Sequence, residues 1–230
     1  MLILETFRPA FGIRCPSPPC LKTEALLALS GVEYELKYGD VTKAPRGKFP
    51  VLHDGETVIP DSANIYAHLV ANHGFDIDAD LSEQERVVSH AFQQMLEKRQ
   101  YFISAYLRWR DNPDLVRNGL LGDVPAFIRH IVFAIVKKKI LKTSHLQGTS
   151  RHTNEELVAM VRANLTAIDS MIGDKTWFFG EKLHSIDAVL FGQLEEIFFA
   201  EIPTPTRIMA SEFPRLTDYV VRFRKEVFGE

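Results

Sequence analysis

Cysteine is nearly absent from these 230 residues: Cys15 and Cys20 are the only two. Two thiols are too few for a disulfide-stapled scaffold, and the count fits a reducing compartment. A surplus of positive charge is also lacking. Lys and Arg total 27 against 30 Asp and Glu, a formal net charge of -3. A dedicated nucleic-acid binder carries a basic excess, so no nucleic-acid partner is expected. Long apolar runs are missing too. A membrane-spanning helix needs about 20 apolar residues, and the most apolar stretch, Phe127 to Val136, contains Arg129 and His130 and runs into Lys137-Lys138-Lys139. No signal peptide is read at the start, because Glu5 and Arg8 interrupt it and no charged segment precedes an apolar core. These absences predict a cytoplasmic protein. What is present is ordinary for a folded chain: 46% hydrophobic and 25% charged residues, enough apolar side chain to offset the entropy of ordering.

Along the chain, Met1 to Thr6 reads as a buried strand, and a loop rich in Pro and Gly follows. Leu21, Ala25, Leu26 and Leu29 recur at helical spacing, with Gly31 as the C-terminal stop. Val32 to Tyr38 alternates as a second strand. Phe49–His53 and Thr57–Pro60 form two more, with the turn signal Asp54-Gly55 between them. A helix over Asp61 to Leu69 closes this unit. The order implies a parallel pair joined by a right-handed crossover, plus an antiparallel hairpin. After Gly74 the chain turns acidic and linker-like, and from Ser82 it is helical. Ser82 with Glu85, and Thr153 with Glu156, are capping boxes. Helices are predicted over 82–110, with a stop at Asp111-Asn112-Pro113, then over 125–142, 153–172, 185–199 and 213–228. The domain reading is 1–74, a linker at 75–81, and an all-helical part at 82–230.

Chemistry is concentrated in three stretches. In Cys15-Pro16-Ser17-Pro18-Pro19-Cys20, Ser17 stands at an N-cap position and Pro18 at the first helical position. Ser17 either caps the helix or uses its place at the positive end of the helix dipole to hold a thiolate. Cys20 reads as a buried small side chain or as a second, redox-type thiol; Cys15 reads as an exposed loop cysteine. No His lies near either in sequence, so no metal is expected. In Gly47-Lys48-Phe49-Pro50-Val51-Leu52, a cis Phe49–Pro50 bond would turn the Phe49 backbone outward to pair with an extended peptide; a trans proline at a strand start is the alternative. Asp61-Ser62 opens a helix whose first amides either are simply capped or hold a carboxylate.

Taken together, Ser17-Pro18-Pro19-Cys20-Leu21-Lys22-Thr23-Glu24, Gly47 to Leu52 and Ile59-Pro60-Asp61-Ser62-Ala63-Asn64-Ile65 resemble the glutathione transferase family. The start, with Gln147-Gly148, Arg151-His152 and Glu155-Glu156, resembles its metaxin-like and failed-axon-connections-like branch. Phe179-Gly180-Glu181 and Ser185-Ile186-Asp187-Ala188 resemble the family's core-helix entry, where an Asp buttresses the turn. The sequence departs from the pattern at Asp61, where Glu or Gln is usual, and at His184, where Ser or Thr is usual.

The resemblance implies an α/β thioredoxin-like N-terminal domain followed by an all-α bundle, with glutathione as co-substrate. Ser17 would activate the thiol. The Phe49 backbone beside Pro50 would hold the cysteinyl part, Asp61 and Ser62 the γ-glutamyl end, and Lys48 the glycyl carboxylate. A small apolar electrophile would lie near Tyr101, Tyr106 and Trp109. A homodimer is implied. The alternatives are a cysteine-based glutathione thiol transferase through Cys20 or Cys15, and a non-catalytic interaction module. The basic apolar helix from Pro125 to Lys142 reads as a solvated face with a packed underside, with membrane-surface contact as the second reading.

Overall fold

The structure is a computed structural model, and it describes every residue but Asp123. Strand β1 (Leu2–Thr6) buries Leu2, Leu4 and Thr6 on one face and lies at the centre of a four-stranded sheet. The order is β2-β1-β3-β4, with β2 at Tyr34–Tyr38, β3 at Val51–Asp54 and β4 at Thr57–Pro60. β2 runs parallel to β1 and β3 antiparallel to it, with Glu5 opposite Val51. β3 starts at Val51, two residues later than the sequence predicts, because Pro50 has no N–H for the ladder. Pro60 is tolerated because β4 is an edge strand. In the hairpin, Asp54 pairs with Thr57 across Gly55 at φ 59; glycine supplies that left-handed backbone without strain.

Helix α1 (Pro18–Ser30) crosses between β1 and β2 and is buried nearly all round, down to Lys22, Thr23 and Glu24. Its buried charges are paired. Lys22 Nζ meets Glu97 at 2.8 Å, and Glu24 pairs with Arg14. α2 (Ser62–His73) follows β4. The helix predicted from Ser82 to Arg110 is a single rod in two parts, α3 (Glu83–Gln94) and α4 (Tyr101–Asp111), joined through the π-helical Met95–Gln100. Both predicted capping boxes form.

Several helical boundaries differ from the sequence reading, and α2 runs past Leu69 to His73. Asn112-Pro113 ends α4 but also begins α5 (Pro113–Leu120), since proline at the first position of a helix costs no hydrogen bond. Gly119 inside α5 serves packing: a Cβ on it would meet the Phe11 ring at 2.3 Å. α6 (Ala126–Gln147) passes Lys142 and ends at Gly148, φ 106. Its underside packs Phe133, Val136 and Ile140 around Trp109 and Val116. Its outer face carries exposed Phe127, Ile131 and Ile135. Among the described residues no helix is long and apolar enough to cross a membrane.

α7 (Asn154–Ile172), α8 (Ser185–Phe198) and α9 (Pro214–Phe228) complete the bundle. α8 is the core helix: Ile186 through Phe198 are all buried. It approaches the start of α1 so closely that a Cβ on Gly192 would lie 2.6 Å from the Pro18 carbonyl oxygen. The acidic segment before α3 is fixed to the start of α8. Asp78 accepts the Ser185 N–H at 2.8 Å, and Asp80 meets Lys182 at 2.8 Å and His184 Nε2 at 3.1 Å. Carboxylates there also face the positive end of the helix dipole.

Candidate functional site

Strand register brings the three chemical stretches to one end of the sheet, beyond the carboxyl end of β1. Glu5 pairs with Val51, so Phe49-Pro50 lies beside Thr6 and Phe7; the Phe7 and Phe49 rings meet edge to face at 5.1 Å. Thr6 Oγ1 lies 3.5 Å from the sulfur of Cys15, two residues before Ser17. The Asp61 N–H donates to the Pro50 carbonyl at 3.2 Å. Ligand sites in open α/β sheets favour this kind of edge.

Ser17 stands at the N-cap of α1 with extended backbone, φ -124 and ψ 110, and its carbonyl accepts from the Cys20 and Leu21 N–H groups. Its hydroxyl makes no capping bond. Local sequence explains this. Pro18 and Pro19 have no N–H, and the next amide, that of Cys20, is already taken by the Ser17 carbonyl at 2.9 Å. The serine therefore holds the cap position while its hydroxyl, free of capping at the positive end of a buried helix, reaches the Cys20 thiol.

The cysteines lie beneath it. Cys15 is 1% exposed and Cys20 is 0% exposed. The expectation of an exposed loop cysteine at Cys15 is thus overturned: the loop folds inward and Thr6 receives the sulfur. Burial pushes the Cys20 thiol well above its ordinary value, helped by the neighbouring Cys15 and opposed by the Ser17 and Thr6 hydroxyls. Burial acts the same way on Cys15, but hydrogen bonds from Cys20, Thr6 and the Ser17 backbone outweigh it and leave that thiol below its ordinary value. The two thiols are thus shifted in opposite directions, and Cys15 is the one that ionises first.

The Phe49–Pro50 peptide is cis. Among the described residues, neither the N–H nor the C=O of Phe49 has a hydrogen-bond partner. Lys48 is exposed beside it. Asp61 takes φ 85 and ψ 131, a conformation costing about 1–3 kcal/mol in a residue with a side chain. Its Oδ1 accepts the Ala63 N–H at 3.0 Å, and its Oδ2 lies 3.8 Å from Arg46. Ser62 is 7% exposed at the first position of α2.

The aromatic residues of α4 divide. Trp109 is 6% exposed and stacks on Phe133 at 5.5 Å, so it belongs to the core and not to a substrate surface. Tyr106 lies under Arg110 at 4.8 Å. The Tyr101 phenol, raised above its ordinary pKa by burial, lies in the field of Arg108, Cys20 and Glu196. Sequence reasoning passed over Arg108. It is 6% exposed, donates to the Pro16 carbonyl at 2.8 Å and meets Glu196 of α8 at 3.4 Å, so it fixes the loop that presents Ser17. Its position between Leu107 and Trp109 on a buried face was the available signal.

Comparison with known proteins agrees with the geometry. A family model described as "Glutathione S-transferase N-terminal domain" matches residues 18–114, and one described as "Glutathione S-transferase, C-terminal domain" matches residues 161–223. The isoprene-epoxide--glutathione S-transferase of Rhodococcus sp. (strain AD45) is 30% identical over 98% of this chain and 99% of its own length. Failed axon connections of Drosophila melanogaster is 30% identical over 93% of this chain, which spans 55% of that protein. Among solved structures, a glutathione S-transferase of Ceriporiopsis subvermispora in complex with glutathione superposes with a TM-score of 0.63 at 16% identity, covering 97% of this chain and 96% of that one.

Proposed function

The chain belongs to the glutathione S-transferase family, and from that premise we propose that it activates the glutathione thiol at Ser17 for attack on a small apolar electrophile. The observation that carries this is the Ser17 hydroxyl, held at a helix N-terminus and excused from capping. Glutathione would lie along the turned-out Phe49 backbone as an added strand. Its sulfur would accept from Ser17, its γ-glutamyl end would meet Asp61, Ser62 and the amides opening α2, and Lys48 would face the glycyl carboxylate. Lowering a thiol pKa by about two units needs about 2.7 kcal/mol of preference for the thiolate, within reach of one hydroxyl bond and a helix terminus.

The 30%-identical bacterial relative carries an isoprene epoxide in its name, and an epoxide suits this chemistry. The thiolate forms a C–S bond as the C–O bond of the strained ring breaks, and the released alkoxide takes a proton from solvent. Tyr101, closest of the α4 tyrosines to the thiols, would border the electrophile. A homodimer and a cytoplasmic location belong to the same proposal. The cysteine-based reading has less behind it: Cys20 is sealed and protonated, and Cys15 is 1% exposed.

Calorimetric titration with glutathione, together with the ultraviolet absorbance of the bound thiolate, tests the proposal. Wild type should bind and show thiolate near neutral pH. Ser17→Ala should keep binding within a few-fold, lose the thiolate signal and lose about 10²–10³ in turnover, as when one transition-state hydrogen-bond donor is removed. Thiolate absorbance unchanged in Ser17→Ala, or no binding by wild type, defeats it.

A further inference from the structure

At the opposite end of the sheet, three side chains converge that play no part in the proposed transferase site. Asp54 closes β3 at the hairpin, His68 lies on the second turn of α2, and His73 on its last turn. His68 Nε2 is 2.9 Å from Asp54 Oδ2, and His73 Nε2 is 2.7 Å from that same oxygen. Their donor atoms all lie within 4.8 Å of one another. Asp54 Oδ1 has no hydrogen bond among the described residues, so the carboxylate has a second oxygen to offer. The side chains are 15%, 22% and 32% exposed for His68, His73 and Asp54, shielded yet open to solvent.

We propose that Asp54, His68 and His73 form a binding site for a borderline divalent transition-metal ion of the zinc class. Two imidazole nitrogens and one carboxylate are a donor set suited to such ions, and the open side leaves a fourth position for water. Zinc bonds of about 2.0–2.1 Å place tetrahedral donors about 3.3 Å apart, so the two histidine nitrogens, 2.9 and 2.7 Å from the carboxylate oxygen, need only draw back slightly from it. Asn72 lies behind the His68 ring, 3.0 Å from Nδ1; with its amide turned so that Oδ1 accepts the Nδ1–H of a metal-bound imidazole, it is a positioning residue. The cation would sit at the negative end of the α2 dipole, where positive charge is favoured. It would tie the hairpin to the end of α2 away from Asp61. Sequence inspection sought histidines beside the cysteines; these ligands lie 14 and 19 residues beyond Asp54, across a turn and a helix.

The test is titration of the chelator-stripped, full-length chain with Zn²⁺ in a non-coordinating buffer, followed by calorimetry. One ion per chain is expected. Affinity should fall about tenfold or more in His73→Gln and in Asp54→Asn, with circular dichroism unchanged, and should persist in Cys15→Ser. Co²⁺ gives a second readout: visible absorption of nitrogen and oxygen ligation without a thiolate charge-transfer band. No uptake by wild type, uptake indifferent to both ligand substitutions, or a thiolate band overturns the site. Glutathione binding in the same samples reports the transferase groove separately.

Discussion

Two aspartates open two helices in this protein, and they are used in opposite ways. Asp187, at the start of α8, is 0% exposed; its Oδ1 accepts the Phe178 N–H at 2.8 Å and the Tyr219 hydroxyl, and its Oδ2 accepts the His184 N–H at 2.7 Å. Asp61, at the start of α2, has a side chain 51% exposed, one backbone N–H partner and a strained φ of 85. The first carboxylate is consumed by the fold. The second is held in a costly conformation and left largely unspent, beside backbone groups of Phe49 that lack partners. Strain and spare hydrogen-bonding capacity are what the proposed glutathione site would draw on.

Four substitutions sharpen or break that comparison. The largest effect is expected from Asp187→Ala, which strands three buried donors at once. Denaturant unfolding should show a loss of about 3–5 kcal/mol, and a loss below about 1 kcal/mol would remove Asp187 from its structural role. Gly192→Ala comes next. Its new Cβ meets the Pro18 backbone, which cannot yield as a side-chain tip does, so thermal unfolding should report about 1–3 kcal/mol of overpacking. Because Pro18 moves with Ser17, turnover should fall further than folded fraction alone explains.

Asp61→Gly separates strain from service. Glycine accepts the positive φ and replaces a cap at a cost of a few tenths of a kcal/mol, so stability should hold or rise by about 1 kcal/mol while glutathione binding weakens about tenfold. Stability and binding falling together would make Asp61 a plain cap. The smallest effect concerns Asp80, whose pKa the Lys182 and His184 contacts draw from 3.8 to about 2. A folded pKa below the unfolded one contributes stability above pH 3.8 that is lost as pH falls toward 2. Asp80→Asn should therefore show a shallower acid decline over that interval in pH-dependent unfolding, and an unchanged slope would discount the pair.

Much of this was legible locally. Ser17-Pro18, the hairpin glycine and the capping boxes at Ser82 and Thr153 each act within a few residues of themselves, whereas the Asp187 helix entry was read from the family resemblance and also holds Phe178 and Tyr219. The misread features all depend on distant partners. Asn112-Pro113 read as a stop because a proline ends a helix as readily as it opens one, and the helix it opens is held by packing on distant residues such as Phe11. Cys15 read as exposed because the loop's inward turn is decided by Thr6 and by Arg108 on α4. Trp109 read as a substrate contact because its stacking partner, Phe133, lies on another helix.

The chain by itself determined most helix starts through their caps, the hairpin of β3 and β4, and that Ser17 would stand at a helix start before two prolines; that its hydroxyl makes no capping bond came from the structure. Tertiary structure alone decided which polar groups remain free. Sheet register carried Phe49, Thr6 and Asp61 to one end and Asp54 with His68 and His73 to the other, because register and helix packing, unlike capping and turns, are set by contacts between residues far apart along the chain.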